Sequence, residues 1–223
     1  TMTEVDPPLP PRKRGRPPAS AEAGRDQIQH AALIEFARLG FEGATIDQIA
    51  AKAGVAKPLV HYHFGSKANL WKAAVAAAFE TFRTEVIIFS TQVGSQEPDA
   101  SLEVFAERLV RLGAERPHLV HIAIDETRQG GDRSDWLRDT YLVPMHQIMT
   151  QVLSVLAPHD PDIRAKASHI VPAIFGAANF AFIDKDVLKR AYGIDVFSET
   201  YVKKQTRIIA MLMQACMHNE QPW

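Results

Sequence analysis

The 223-residue sequence predicts an all-α fold, with an N-terminal three-helix head and a larger helical bundle behind it. Three observations carry this. Apolar residues recur at spacings of three and four along most of the chain, and no stretch shows the period-two alternation of a half-buried strand. Glycine and proline mark most of the gaps between these periodic stretches, as helix ends require. Between Thr45 and Leu70, TIDQIAAKAGVAKPLVHYHFGSKANL, two short helical patterns flank a tight glycine turn, which is a helix-turn-helix signature.

Composition narrows the class. Hydrophobic content of 46% and charged content of 23% are those of an ordinary globular chain long enough to bury a substantial core. A net charge of −1 argues against a protein that coats nucleic acid nonspecifically. Charge is mildly polarised: residues 1–67 hold nine Lys and Arg against seven Asp and Glu, the remainder sixteen against nineteen. Cys216 is the single cysteine, so no intrachain disulfide can form and a reducing cytosol is the natural setting. The longest apolar run, Ile170 to Ile183, is interrupted by Pro172 and Asn179 and falls short of the roughly 18 residues that span a bilayer. No signal-peptide core stands at the N-terminus. A cytoplasmic location without membrane contact is expected.

In chain order, residues 1–20 are rich in proline and charge and have little to bury, so a disordered basic arm is expected. Within it Arg12-Lys13-Arg14-Gly15-Arg16-Pro17 contains Arg-Gly-Arg-Pro, which resembles the core of an AT-hook. There the glycine lets the backbone lie in a narrow A·T minor groove with an arginine reaching to either side. A solubilising tail is the competing reading. Residues 21–70 form the head. Ile28, Ala32, Phe36 and Leu39 give the first helix one apolar face, and Gly40 and Gly43 close it. Thr45 and Gln48 make a capping box for the second helix, whose face is Ile46, Ile49, Ala50 and Ala53 and whose stop is Gly54. Pro58 suits the first turn of the third helix. Val60 and Phe64 would anchor that helix, leaving Lys57, Leu59, His61, Tyr62 and His63 free for phosphate oxygens and base edges. A short two-helix corner of an ordinary bundle is the alternative.

Residues 71–223 form the second domain. Ser66 caps a long helix running through Trp71, Val75, Phe79 and Phe82 towards Phe89, rich in alanine and unbroken until Gly94. A loop at 94–100 precedes helices over 101–115 and 117–129, a long one over 135–156 kinked at Pro144, an apolar one within 160–191, and a last one over 195–217.

The pattern AxxxFxxxGFxGxTxxxIAxxAGVxKxxxxxHFxSKxxL, read from Ala32 to Leu70, resembles the N-terminal domain of TetR-family transcriptional regulators. The resemblance implies that Thr45 opens the helix abutting the DNA backbone, that Lys57 to His63 (Pro58 included) form the recognition helix, and that Lys67 holds a phosphate. The chain departs from the family's usual residues at Ala56, Leu59 and His61. The resemblance further implies a symmetric homodimer through the two C-terminal helices, about 160–183 and 196–217, and a small-molecule pocket in the second domain. Candidates for that pocket are Phe82, Val86, Phe105, Leu109, His121, Asp125, Met145, Phe175 and Asn179. A buried Asn179 must either satisfy a backbone group or address a ligand.

Other chemistry finds little support. His118, His121 and Asp125 share a helical face, but Pro117 interrupts the helix that would carry a Glu-x-x-His motif from Glu115, and no second such motif exists. His61 and His63 diverge by about 200° on a helix. No nucleophile elbow, phosphate-cradling glycine loop or paired cysteine motif occurs. Neither metal, cofactor nor catalytic residue is assigned. The expected function is a ligand-responsive, sequence-specific regulator, a repressor released from a palindromic operator at the nucleoid. A constitutive architectural DNA-binding protein and a helical enzyme are the alternatives.

Overall fold

The computed structural model describes residues 18–91 and 98–217, and the side chains of 24–91 and 101–217. Eleven α-helices and no strand occupy the described residues: α1 Pro18–Gly43, α2 Ile46–Ala53, α3 Lys57–Phe64, α4 Lys67–Ser90, α5 Pro98–Glu115, α6 Pro117–Gln129, α7 Asp132–Leu137, α8 Val143–Leu156, α9 Ile163–Ile183, α10 Lys185–Tyr192 and α11 Glu199–Met217. Helix α1 already includes residues 18–20, which the sequence reading had placed in the arm; Arg12 to Arg16 lie outside the described residues. Helix α5 likewise begins at Pro98, inside the expected loop, because proline fits a first helical turn.

Helices α1 to α3 pack around Ile28, Ala32, Phe36, Ile49, Val60 and Phe64. The buried Glu35 pairs with Arg38 on its own helix at 2.7 Å and ties α1 to α2 through Lys52 at 3.2 Å; the Arg38 bond, above all, holds its carboxyl below the usual range. The N-terminal half of α4, with Leu70, Trp71, Ala74 and Val75, closes this core, and its C-terminal half enters the body. There α5, α8, α9 and α11 pack together, with Leu102, Ala106, Val152, Ile170, Ile209 and Met213 at the centre.

The expected kink at Pro144 lies just before it. Residues Arg138–Leu142 form a widened π turn. Proline has no N–H and crowds the carbonyl four residues earlier, at Thr140 inside that turn, so the helix loosens there. The apolar helix also differs from the sequence reading. Taken as a whole, α9 has 21 residues, with Arg164 and Lys166 its only charged ones, and is long and apolar enough to cross a membrane by length and composition. It packs instead against α5, α8 and α11, burying Lys166 in an ion pair with Asp160 at 2.7 Å.

Candidate nucleic-acid interface and effector cavity

The head presents α3 by cap chemistry. The Thr45 hydroxyl accepts from the Gln48 N–H at 3.2 Å and the Gln48 side chain accepts from the Thr45 N–H at 2.9 Å, satisfying two amides at the start of α2. Gly54, at φ +66°, sends the chain back, and the Val55 N–H bonds the Ala50 carbonyl at 3.0 Å. Helix α3 then starts at Lys57 with Pro58 in its first turn and is pinned by the buried Val60 and Phe64.

Pinning at those two positions leaves Lys57, Pro58, His61 and Tyr62 exposed. Tyr62 is 81% exposed, a large aromatic group held in water. Leu59 and His63 sit differently, half-buried. Leu59 packs against the core, and the Nε2 of His63 is buried with no hydrogen-bond partner. Lys57 pairs with Asp47 at 2.9 Å, both groups exposed, so the pair holds by only about 0–1 kcal/mol. Lys67 donates to the Glu42 carbonyl at 3.2 Å and lies 4.6 Å from the centre of the Phe41 ring. Thr45 is exposed at the start of α2.

A cavity of about 500 Å³ opens in the body. Phe79 and Phe82 of α4 form one wall, Leu119, Ala123 and Thr127 of α6 a second, Met145, His146 and Met149 of α8 a third, and Val171, Phe175 and Asn179 of α9 a fourth. The lining is overwhelmingly apolar, with Thr127, Arg128, His146 and Asn179 as its polar residues. Phe82, Met145, Phe175 and Asn179 therefore converge where the sequence reading expected a pocket. Val86, Phe105 and Leu109 do not reach it. With Phe82 and Phe89 they line a separate void of about 50 Å³ between α4 and α5, because the stacked Phe89 and Phe105 rings fill that seam. His121 and Asp125 line neither space; Asp125 turns to the exposed Arg128 at 3.5 Å. The sequence reading missed Ala123, Thr127, Arg128 and His146, whose small or polar side chains carry no pocket signal.

Asn179 answers half of the question posed for it. Its Nδ2 donates to the Phe175 carbonyl at 2.9 Å, while its Oδ1 is buried without a partner. That oxygen lies against Gly113, where a Cβ would come within 2.3 Å of it.

Head and body meet at a cation–aromatic seam. Arg133, at the start of α7, donates its Nε to both carboxylate oxygens of Glu126 at 3.2 Å and lays its guanidinium 3.9 Å from the centre of the Phe41 ring. Glu126 is buried on α6, one residue before the cavity-lining Thr127. Phe41 thus lies under both Arg133 and Lys67. Trp71 and Trp136 meet edge to face at 5.5 Å beside it. At the opposite end of the α1–α6 contact, burial pushes the His118 imidazole below its usual range, and His30, Arg116 and His121 push it the same way. Among the described residues no group of three His, Cys, Asp or Glu side chains could hold a metal ion.

A capped two-helix corner projecting an exposed aromatic and basic helix, joined to a helical body with an apolar cavity, is the architecture of a helix-turn-helix DNA-binding head on a regulatory domain. Residues 28–74 match the family described as bacterial regulatory proteins, tetR family. The HTH-type transcriptional regulator SrpR of Pseudomonas putida is 27% identical over 146 residues, 61% of this chain and 64% of SrpR. The HTH-type transcriptional repressor SCO4008 of Streptomyces coelicolor is 31% identical over 110 residues, 49% of this chain and 53% of that one. The matches thus span between half and two thirds of these relatives. The fold extends further. The solved structure of the fatty acid degradation regulator FadR from Bacillus halodurans has a TM-score of 0.65 at 17% identity, covering 94% of this chain and all of that one.

Proposed function

We propose that the chain is a transcriptional repressor of the cytoplasm and nucleoid, which binds a palindromic operator as a homodimer and leaves it when a small molecule enters the body. The observation that carries this reading is that two helices of the cavity wall, α4 and α6, reach the head. Helix α4 runs from Lys67 in the head to Phe79 and Phe82 in the cavity wall, and α6 carries Thr127 in the wall beside Glu126 on the Arg133 seam. An effector that favours a different placement of α6 or α4 must change how the heads are held. The coupling follows from its differential affinity for the two forms, typically about 1–3 kcal/mol.

The partners follow from the surfaces. Lys57, Pro58, His61 and Tyr62 face the major groove, Thr45 the phosphate backbone. Lys67 contributes by exchanging the Glu42 carbonyl for a phosphate. A short recognition helix offers few base contacts, so two heads on two half-sites are needed for affinity. The dimer face is supplied by α9 and α11, where Phe180 is 60% and Met211 66% exposed and Ile208 and Leu212 lie beside them. The arm with Arg12, Lys13, Arg14, Gly15 and Arg16 reaches the flanking A·T minor groove. The effector is drug-sized and largely apolar, with one polar end for Thr127, Arg128 or His146. A constitutive architectural protein would have no use for a cavity of this size, and the relatives are regulators rather than enzymes.

Selection of bound sequences from a random duplex pool, with the full chain and with residues 1–17 removed, tests the reading. A palindrome whose flanking A·T preference disappears on truncation is the expected result. A palindrome that is indifferent to truncation removes the arm from the proposal, and no enrichment at all refutes DNA recognition.

A further inference from the structure

The strongest unassigned feature is the orientation of His61, and its meaning rests on the DNA-binding reading above. We propose that His61, with its imidazole neutral, reads an exocyclic amine, cytosine N4 or adenine N6, because the contact of its Nδ1 with the Gly65 carbonyl leaves Nε2 as a hydrogen-bond acceptor. His61 is exposed on α3, and its Nδ1 lies 3.2 Å from the Gly65 carbonyl oxygen. A carbonyl oxygen only accepts, so Nδ1 carries the hydrogen and the neutral ring keeps its lone pair on Nε2.

The tautomer is set by the backbone. Gly65 stands at φ +72° and ψ −57°, a conformation that side-chain-bearing residues avoid, and its N–H donates back to the His61 carbonyl at 2.9 Å. The helix end and the imidazole therefore brace each other. Among the described residues no group bonds the outer nitrogen.

A lone pair cannot bond a phosphate oxygen, and it is mismatched to the acceptors of guanine (O6 and N7) and to thymine O4. It is matched to an amine. Cytosine fits best, since its amine is flanked on its own base by C5–H, whereas adenine places the N7 lone pair there. The labour on α3 is then divided, with the charged Lys57 suited to phosphate and His61 to base identity.

The test is duplex selection at about pH 8, where an ordinary imidazole is neutral, using the full chain and three variants. Wild type and His61→Glu, which also only accepts, should enrich cytosine or adenine at the same position. His61→Lys, which only donates, should enrich guanine there. His61→Phe should lose about fivefold discrimination at that position alone. A 15N spectrum of histidine-labelled wild type, assigned through His61→Phe, should show the Nδ1-protonated form. One base enriched identically by all four proteins, or a proton on Nε2, overturns the proposal while leaving DNA recognition standing. No duplex enriched by wild type overturns both.

Discussion

Two residues show how local geometry sets measurable behaviour. Asn179 holds an unpartnered oxygen against Gly113, so Gly113→Ala must push a methyl group into that oxygen and the Phe182 ring, within 2.3 and 2.6 Å. A loss of about 1–3 kcal/mol is expected, read as a lowered midpoint in urea unfolding. The adjacent Asn179 carbonyl is already a cost in the native protein. His118 gives a pH signature. Its folded-state affinity for a proton is reduced, so the unfolded chain protonates first as pH falls below the ordinary 6.5, and stability declines there. The contribution is complete above that value and shrinks below it until the folded form also protonates. His118→Asn should flatten the dependence of the melting temperature on pH just below 6.5; an unchanged profile would assign the acid sensitivity elsewhere.

At the scale of elements, α6 and α7 hold the head through Glu126 and Arg133. Arg133→Met keeps much of the side-chain bulk over Phe41 but strands the buried Glu126 carboxylate, costing about 3 kcal/mol of stability in thermal or urea unfolding. The double variant Arg133→Met, Glu126→Leu should recover much of that loss. Failure to recover it would mean that the ring contact dominates over the ion pair. This seam was invisible in the sequence, whereas the helices around it were not. Thr45 with Gln48, Gly54, Pro58 and Ser66 act on neighbours within four residues, so their effects can be read from spacing alone. Phe41 and Arg133 meet only because α1, α4, α6 and α7 pack together, and no periodicity encodes that. The cavity behaves the same way. Phe82, Met145, Phe175 and Asn179 were legible as aromatic, flexible or polar groups out of place, but His121 and Asp125 shared their character and point elsewhere. Val86, Phe105 and Leu109 line the smaller void between α4 and α5 instead. The early start of α5 at Pro98 and the loosened turn before Pro144 have the same lesson on a smaller scale, since proline marks a site of change without saying on which side it falls.

On the scale of the whole molecule, the exposed apolar residues of α9 and α11 and the short recognition helix require each other if two heads are to bind one operator. Met211→Asp combined with Ile208→Asp should yield monomers in sedimentation and weaken binding to a palindromic duplex far more than to a single half-site. Equal weakening of both would separate dimerisation from recognition. The central claim is the coupling of cavity to head, and reciprocity allows it to be tested without knowing the effector. An environment-sensitive apolar dye, 1-anilinonaphthalene-8-sulfonate, is titrated into the chain with and without saturating amounts of the enriched duplex. Ala123→Trp, which fills the cavity, identifies the fraction of signal that arises there. The duplex should weaken that fraction of dye binding by about 5- to 150-fold. A cavity-dependent affinity that is the same with and without DNA would contradict the account.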